Sequence, residues 1–276
     1  MTEGNLTHMR EFRPVKTSRV TALVRKELTD IRQHPGIFLP AALTGLIALV
    51  MPFVIAIVIP AVAGEPLADV ATGLGEQLRG GLDSEGRAQA WVFQQFLILL
   101  SLSPISASMS VAAWSIVGEK QARTLEPLLA TPLTTFELLA AKALSALLPG
   151  VAFSMVMFAA YVAGIAVVAR PGVAGTLITR EPLALMFVLA PLAALAALQL
   201  AICMSSRTND PRSAQQLGAL IILPLAALLI LQLMGAVRLG ASAILLMAAA
   251  LVLINALLTR VAILLFDRES ILTRWK

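Results

Sequence analysis

The chain has 276 residues, of which 58% are hydrophobic and 13% are charged, and its formal net charge is +5. Soluble domains carry about 25% charged residues, and several charge-free runs here exceed the roughly 18 residues that indicate a membrane span. This composition excludes a separate soluble domain and predicts an all-α polytopic membrane protein. Its basic residues flank the apolar runs and indicate a membrane surface, not nucleic acid, as their partner.

Residues 1–36 are polar and predict a cytoplasmic N-terminal segment without a signal peptide. Within it, residues 18–33 predict an amphipathic helix that ends at His34-Pro35-Gly36. Its apolar residues recur at helical spacing and are Val20, Leu23, Val24, Leu28 and Ile31. Two interpretations stay open: an anchor in the membrane interface, or a helix packed against the bundle and a cytoplasmic partner.

Six apolar runs within residues 37–265 predict six transmembrane helices, because each covers the roughly 30 Å hydrocarbon core at 1.5 Å per residue. The runs are Ile37–Val62, Trp91–Val117, Phe136–Ala169, Leu183–Ser205, Ala214–Val237 and Ala241–Leu265. The third run is long enough to project into the cytoplasm or to bend at Pro149-Gly150. Only Arg238-Leu239-Gly240 separates the last two runs, so a hairpin that fails to cross fully is the alternative there.

The distribution of Lys and Arg predicts the orientation. Sixteen of these residues lie on the side that holds both termini and five on the other side. The positive-inside rule therefore places both termini, including the 266–276 tail, in the cytoplasm. It makes residues 63–90 an outer loop, in which a helical pattern from Leu67 to Leu82 is weakened by glycines. That loop is either a surface helix, a cap over a pathway or a plain connector.

Residues 118–135 form a short polar segment between the second and third runs. We expect Gly118 to end the second span and Thr124 to cap a short helix over Leu125–Ala130, with Glu126 in its first turn. Thr131-Pro132 ends this helix, because the residue before a proline is pushed out of the α region.

Two further patterns lie in and just after this segment. Thr134 and Glu137 have capping-box spacing and are expected to open the third span. Leu125, Leu128 and Leu129 form an apolar knob rimmed by Glu119, Lys120 and Arg123. An exposed knob with a charged rim indicates a protein interface; the alternative is that the leucines fold back onto the lipid interface.

Small and polar residues in the spans suggest close helix packing. Serines surround Pro104 and predict either packing between helices or a face toward a pathway or a dimer partner; they are Ser101, Ser103, Ser106 and Ser110. Uncharged polar residues predict hydrogen bonds between helices; they are Gln94, Gln95, Gln199, Gln232 and Asn255. The absence of charges deep in the runs predicts a hydrophobic or amphipathic cargo.

The sequence contains no pattern for catalysis or for a cofactor of its own. His8 and His34 are the only histidines, and the single Cys203 supports neither a disulfide nor a Cys-based metal cluster. There is no GxxxxGK[ST] phosphate loop, no HExxH and no GxSxG. We therefore expect no enzyme activity and no metal site in this chain.

Residues 119–133 resemble the signature loop of ABC-2-type transporter permeases, and most nearly that of the sodium/drug-export branch. Glu137-Leu138-Leu139 and Lys142 extend this resemblance. Three other segments resemble the family's connecting helix, fifth span and tail: Arg25-Lys26-Glu27-Leu28 with Asp30, Arg32 and Pro35; Ala214-Gln215-Gln216 with Leu223-Pro224-Leu225; and Phe266-Asp267-Arg268-Glu269. The chain departs from the family at Gln121, where an acidic residue is common, and at Arg123, where glycine is common.

The resemblance implies a type V exporter-like permease fold with a coupling helix between the second and third spans. It implies two such permeases, as identical copies or paralogues, and two cytoplasmic ATPase subunits that bind ATP and Mg²⁺. The implied coupling residues are Glu119, Lys120, Arg123, Thr124, Leu125, Glu126, Leu128, Leu129, Thr131 and Pro132. The implied connecting-helix residues are Arg25, Lys26, Glu27 and Arg32.

Two functions therefore fit the sequence. The first is a permease of the bacterial inner membrane that exports a hydrophobic or amphipathic cargo when a separate ATPase hydrolyses ATP. The second is a membrane scaffold or assembly factor that transports nothing. The sequence leaves the cargo open, as well as the choice between a homodimer and a heterodimer of permeases.

Overall fold

The computed structural model of the chain describes residues 17–70, 81–121, 134–205, 216, 220, 222–233 and 240–265. All the secondary-structure elements of these residues are helices, joined by short turns. In chain order the helices are α1 Thr17–Gln33, α2 Pro35–Ala63, α3 Leu67–Val70, α4 Ser84–Leu100, α5 Leu102–Gln121, α6 Thr135–Val168, α7 Val173–Thr176, α8 Arg180–Met204, α9 Ile222–Leu233 and α10 Ala241–Leu265.

Five helical segments of the described residues are long and apolar enough to cross a membrane. They are α2, α4 continued into α5 as Ser84–Ser115, α6, α8 and α10. These segments coincide with five of the six predicted runs, so the prediction of a multi-pass helical membrane protein is confirmed. Of the other run, 214–237, the structure describes residues 216, 220 and 222–233, and the last of these ranges is helix α9, which is shorter than a full span.

Two helices extend beyond the apolar runs from which their bounds were predicted. α4 begins at Ser84, seven residues before the run at Trp91, because Asp83 caps it: its Oδ1 accepts a hydrogen bond from the Gly86 N–H at 2.8 Å. At the other end of this span, α5 continues through Gly118 to Gln121 instead of ending at Gly118. Hydropathy counts only the lipid-covered part of a helix, whereas polar turns continue it into the headgroup region.

Pro104 explains the break between α4 and α5 at Ser101. A proline has no N–H, so the carbonyl of Leu100, four residues earlier, loses its helical partner. The Ser103 hydroxyl donates to that carbonyl at 2.8 Å, and the Ser101 hydroxyl donates to Ile98 O at 2.6 Å. The hydroxyls thus satisfy backbone groups that lipid would leave without a partner.

Prolines also accompany two wider turns. Residues Val54–Val58 of α2 and Leu185–Leu189 of α8 are π-helical, and each stretch ends two residues before a proline, Pro60 or Pro191. A proline ring clashes with the carbonyl four residues before it, and the wider turn relieves that clash. By contrast, α6 stays α-helical through Pro149 for 34 residues, about 51 Å at 1.5 Å per residue, which is longer than the hydrocarbon core.

The centre of the bundle is α5, which packs against α8, α6 and α2, while α10 packs on α8. Toward the far end of α6, three aromatic rings meet: Phe53, Phe93 and Tyr161, with centroids 5.2–5.9 Å apart. The buried Tyr161 hydroxyl donates to Phe93 O at 2.8 Å. At the opposite end, α5 and α6 open toward residues 122–133; we call this the loop end of the bundle.

Candidate functional site

The loop end is bounded by the last turn of α5 and the first turn of α6. Glu119 and Lys120, two of the predicted coupling residues, lie on the helical backbone of α5. The others lie outside the described residues: Arg123, Thr124, Leu125, Glu126, Leu128, Leu129, Thr131 and Pro132. The short helix expected over Leu125–Ala130 lies outside them as well.

The capping box predicted at the start of the third span is confirmed. Thr134 Oγ1 accepts a hydrogen bond from the Glu137 N–H at 3.1 Å, and Glu137 Oε2 accepts one from the Thr134 N–H at 2.8 Å. Both N–H groups would otherwise lack helical partners. α6 therefore has a fixed starting point directly after the 122–133 segment.

The N-terminal helix α1 packs on the bundle along α6. Of its predicted apolar stripe, Leu23 and Ile31 are buried and Val24 and Leu28 are half-buried. This packing favours the interpretation in which the helix packs against the bundle over that of an anchor in the membrane interface. A charged residue, Glu27, lies between Leu23 and Ile31 on the same buried face, with only 4% of its surface exposed.

Glu27 takes part in a ring of polar contacts among three helices. Lys142 Nζ of α6 lies 3.3 Å from Glu27 Oε1 and donates to Ser115 Oγ of α5 at 2.7 Å. The Ser115 hydroxyl in turn donates to Glu27 Oε2 at 2.7 Å. We call these three residues the polar joint. Lys142 is 2% exposed, so its charge and that of Glu27 are both removed from water.

The electrostatics of the polar joint keep Glu27 ionised. Burial alone raises the pKa of the Glu27 carboxyl, but the charge of Lys142, the hydrogen bond from Ser115 and the charge of Lys26 outweigh it, so this pKa lies below its ordinary value. Lys26 lies 3.5 Å from Glu27 Oε1 and 3.3 Å from Asp30 Oδ2. Burial of a charge is tolerated when a partner charge and hydrogen bonds compensate for lost water.

A ring contact lies beside the polar joint. His34, just after α1, and Trp114, next to Ser115 on α5, have ring centroids 5.5 Å apart. The N-terminal segment is therefore attached to the end of α5 at two places. The loop end consists of α1, the end of α5 and the start of α6, held together by one buried ion pair, one bridging hydroxyl and one ring pair.

A family model for ABC-2 family transporter proteins matches residues 82–261. The chain belongs to this ABC-2 family. No curated protein matches the chain. The chain is therefore the membrane permease component of an ABC-2 family transporter, and it has no ATPase site of its own; members of this family work with ABC ATPase subunits.

The serines of the ABC-2 permease are buried within the single chain. Ser101, Ser103, Ser106 and Ser110 are at most 8% exposed, and the Ser110 hydroxyl donates to Ser106 O at 2.8 Å. Facing α5, Gly150 of α6 comes so close that an added Cβ would lie 3.2 Å from Pro104 O. These serines thus serve close packing between helices, and a role on a pathway or a dimer face stays a prediction.

A second polar group holds α10 of the permease to α8. Asn255 Nδ2 donates to Leu192 O at 3.0 Å, its Oδ1 accepts from Gln199 Nε2 at 3.3 Å, and Thr259 donates to Gln199 Oε1 at 3.4 Å. The predicted inter-helix bonds of Gln199 and Asn255 are thereby confirmed. Gln94 Nε2 reaches Thr176 O at 3.5 Å, Gln95 Oε1 has no hydrogen-bond partner among the described residues, and Gln232 has no described side chain.

A small cavity lies at the end of the permease opposite the loop end. It is lined by residues of α4, α8 and α10, including Gln94, Glu181, Leu185 and Ile244, and its volume is about 60 Å³. Pockets that enclose drug-sized ligands measure about 300–1,000 Å³. This cavity is therefore too small to enclose a cargo of that size. The described residues also hold no cluster of three or more His, Cys, Asp or Glu side chains able to bind a metal.

The polar joint is the feature that sequence reasoning missed. The sequence identified Lys142 as a cytoplasmic positive charge and as part of the family resemblance, and Glu27 as part of the connecting helix, without pairing the two. A signal was present in both patterns, because Glu27 falls on the apolar stripe of α1 and Lys142 falls within the third apolar run. A charge at an apolar position of a helix needs a buried partner of opposite charge, and these two residues provide one for each other.

Proposed function

We propose that this permease exports a hydrophobic or amphipathic cargo from the cytoplasm, and that a separate ATPase drives it through residues 118–135. The observation that carries the proposal is the position of this segment in an ABC-2 family member. It connects α5, the most centrally packed helix, with α6, so force applied to the segment reaches the core directly. A scaffold has no need of a charged, capped connection at that position.

The proposed contacts with the ATPase are those implied by the family resemblance. Glu119, Lys120, Arg123 and Glu126 provide polar contacts, and Leu125, Leu128 and Leu129 form the packed knob, with Thr124, Thr131 and Pro132 setting the ends of the short helix. Two ATPase subunits bind ATP and Mg²⁺ and clasp one such helix on each of two permeases. The second permease is a copy of this chain or a paralogue.

The proposed topology has six spans with both termini in the cytoplasm of a bacterial cell. The excess of Lys and Arg on the side of the loop end supports this orientation, and α9 provides part of the fifth span. The proposed cargo route runs between the two permeases. Its support is that the tightly packed interior of α5, α6 and α8 has small, buried residues at its contacts and leaves little room for cargo within one subunit.

The test is to purify the native complex and identify its subunits, and then to assay the purified complex in membrane vesicles. We expect an ABC ATPase to co-purify and Leu128→Asp to release it, since a carboxylate in a packed apolar contact has no partner. Leu128→Met keeps the volume and apolar character and serves as the matched control. Glu119→Ala is expected to weaken ATP-driven movement of a lipophilic fluorescent cation or a labelled lipid.

Two outcomes would contradict the proposal. If no ATPase co-purifies with the wild-type permease, the scaffold function is favoured. If Leu128→Asp and Glu119→Ala retain both the ATPase and the ATP-driven movement of the wild type, residues 118–135 are not the coupling site.

A further inference from the structure

The polar joint links three elements that are far apart in sequence. Glu27 lies in α1, Ser115 near the end of α5 and Lys142 in the third turn of α6. The last two helices are the ones that residues 122–133 connect. The joint therefore lies next to the segment at which we propose that the ATPase acts, and it includes α1, which precedes the first span.

In the joint both carboxylate oxygens of Glu27 are bound. Lys142 and, at 3.5 Å, Lys26 lie at Oε1, and Ser115 donates to Oε2. The Ser115 hydroxyl accepts from Lys142 and donates to Glu27, so it closes the ring between the two charges. If one helix slides by a turn, two buried charges lose compensation together, which makes relative sliding of the three helices costly.

We propose that the polar joint makes α1, the end of α5 and the start of α6 move as one rigid body when the 118–135 segment is displaced. Glu27 and Lys142 are then positioning residues for coupling, because they transmit motion without contacting the ATPase or the cargo. This inference rests on the proposed function. Without the joint, displacement of the segment moves α6 relative to α1, and the motion is not transmitted to α1.

The surroundings of the joint are consistent with a rigid contact. Leu23 and Ile31 bury the same face of α1 one turn before and after Glu27, and the ring pair of His34 and Trp114 attaches the end of α1 beside Ser115. Apolar packing alone allows two helix surfaces to shift past each other by small steps. A paired charge adds a defined register, since only one arrangement brings both ions together.

The two charges of the joint can be exchanged between α1 and α6. This exchange distinguishes an ion pair, which it restores, from apolar packing of specific side chains, which it does not restore. In Glu27→Lys/Lys142→Glu, Ser115 accepts from the lysine on α1 and donates to the carboxylate on α6, so the ring of contacts forms with opposite polarity. Lys26→Gln is added to this variant, because Lys26 Nζ lies 3.5 Å from Glu27 Oε1 and would repel a lysine at position 27. In Glu27→Gln/Lys142→Met, the side chains keep similar volumes but the charges are gone. Since neither member of the ion pair is left without the other, this neutral pair is expected to fold.

The experiment measures one distance in the intact complex of permease and co-purified ATPase, in lipid nanodiscs. Spin labels replace the exposed Thr29 of α1 and Leu144 of α6 in a Cys203→Ala background, because Cys203 is the single cysteine. Labelled permease is diluted with unlabelled permease so that distances between copies do not contribute. Pulsed electron spin resonance is recorded without nucleotide and with MgATP plus vanadate.

We expect the wild-type distance to give one narrow distribution that nucleotide does not change. In the neutral pair, MgATP plus vanadate is expected to shift or broaden the distribution by more than its wild-type width, and the charge reversal is expected to restore the wild-type result. A control pair at Leu144 and Val156, both exposed on α6, is expected to be unchanged in every variant. Ser115→Ala keeps both charges and is expected to broaden the distribution as well, which keeps the test available if the neutral pair fails to assemble.

The inference is overturned if the neutral pair and Ser115→Ala both keep the narrow, unchanged distribution. It is also overturned if the charge reversal broadens the distribution as much as the neutral pair does, since the contact is then specific packing. Failure of the proposed function looks different, because the wild-type permease then retains no ATPase. In that case only the distance distributions recorded without nucleotide test the joint. A distribution in the neutral pair that is as narrow as that of the wild type overturns the inference.

Discussion

The span Ser84–Ser115 and the span α10 show opposite relations between apolarity and burial. Ser84–Ser115 has the lowest mean hydropathy of the five membrane-length segments, 1.8, yet 83% of its most apolar window is buried inside the chain. For α10 the mean hydropathy is 2.5 and only 11% is buried. In a soluble protein the more apolar helix would lie inside; in this permease the less apolar one does.

The cause is that lipid is as apolar as a leucine side chain, so hydrophobicity does not drive one membrane helix against another. Close packing and hydrogen bonds do, and both favour small residues. The interior of α5 and α8 is accordingly rich in serine and alanine, including Ser103, Ser108, Ala194 and Ala197, all of them buried. The large aliphatic residues of α10, among them Leu245, Leu246 and Leu264, face outward.

The largest effect is expected where two helices of the interior come closest. Gly150→Ala adds a methyl group that overlaps Ser108 Oγ and lies 3.2 Å from the backbone atoms Pro104 O and Ser108 N. The hydroxyl can rotate but the backbone cannot yield, so we expect a loss of about 1–3 kcal/mol in the free energy of unfolding. Denaturant titration of the purified permease in detergent, followed by circular dichroism, measures it.

Gly175→Ala is the matched control, because its Cβ has no described atom within 4 Å and its φ is not positive. It is expected to change the free energy of unfolding by no more than about 0.5 kcal/mol. Equal costs at both glycines would mean that α5 and α6 are not in the close contact described above.

The next effect concerns Asn255, a polar residue that attaches the exposed helix α10 to α8. Asn255→Ala removes the bonds to Leu192 O and Gln199 that hold α10 on α8. Hydrogen bonds between membrane helices contribute about 1–2 kcal/mol in model peptides and less in whole proteins, so we expect a loss of about 1 kcal/mol in the free energy of unfolding. The same denaturant titration measures it.

Leu253→Ala, two residues away and exposed, is the control for a lipid-facing position. It is expected to be nearly neutral in the isolated subunit, because lipid or detergent replaces the lost contacts. A loss as large as that of Asn255→Ala would show that this face of α10 packs against protein, and the contrast between the two spans would then hold only for the single chain.

The smallest effect is expected at the helix end beside the loop. Thr134→Ala removes the side-chain cap of the Glu137 N–H, and loss of such a cap costs about 1 kcal/mol or less at an end that water also reaches. Hydrogen exchange of the first turn of α6, measured by mass spectrometry, is expected to rise. Thr135→Ala, on the next residue, removes no capping bond and should leave exchange unchanged; a similar rise there would assign the effect to the backbone and not to the cap.

Helix ends and helix partners differed in how far the sequence predicted them. The capping box of Thr134 and Glu137 was predictable because its chemistry involves residues three apart. The start of α4 at Ser84 was missed, although Asp83 is an ordinary cap, because the apolar run alone was used as the boundary. The contact of Gln199 with Asn255 was predicted as a type of contact, but not as this pair.

The sequence by itself determined what the solvent and the local backbone decide: which runs are apolar enough to cross a membrane, the capping box that starts α6, and the resemblance to the ABC-2 family. Only the tertiary structure decided which face of each helix is turned inward, because lipid accepts every apolar face equally. It also decided that Glu27 pairs with Lys142 across 115 positions of sequence. A charge in an apolar pattern indicates that a buried partner of opposite charge is needed. The sequence does not indicate which helix provides that partner.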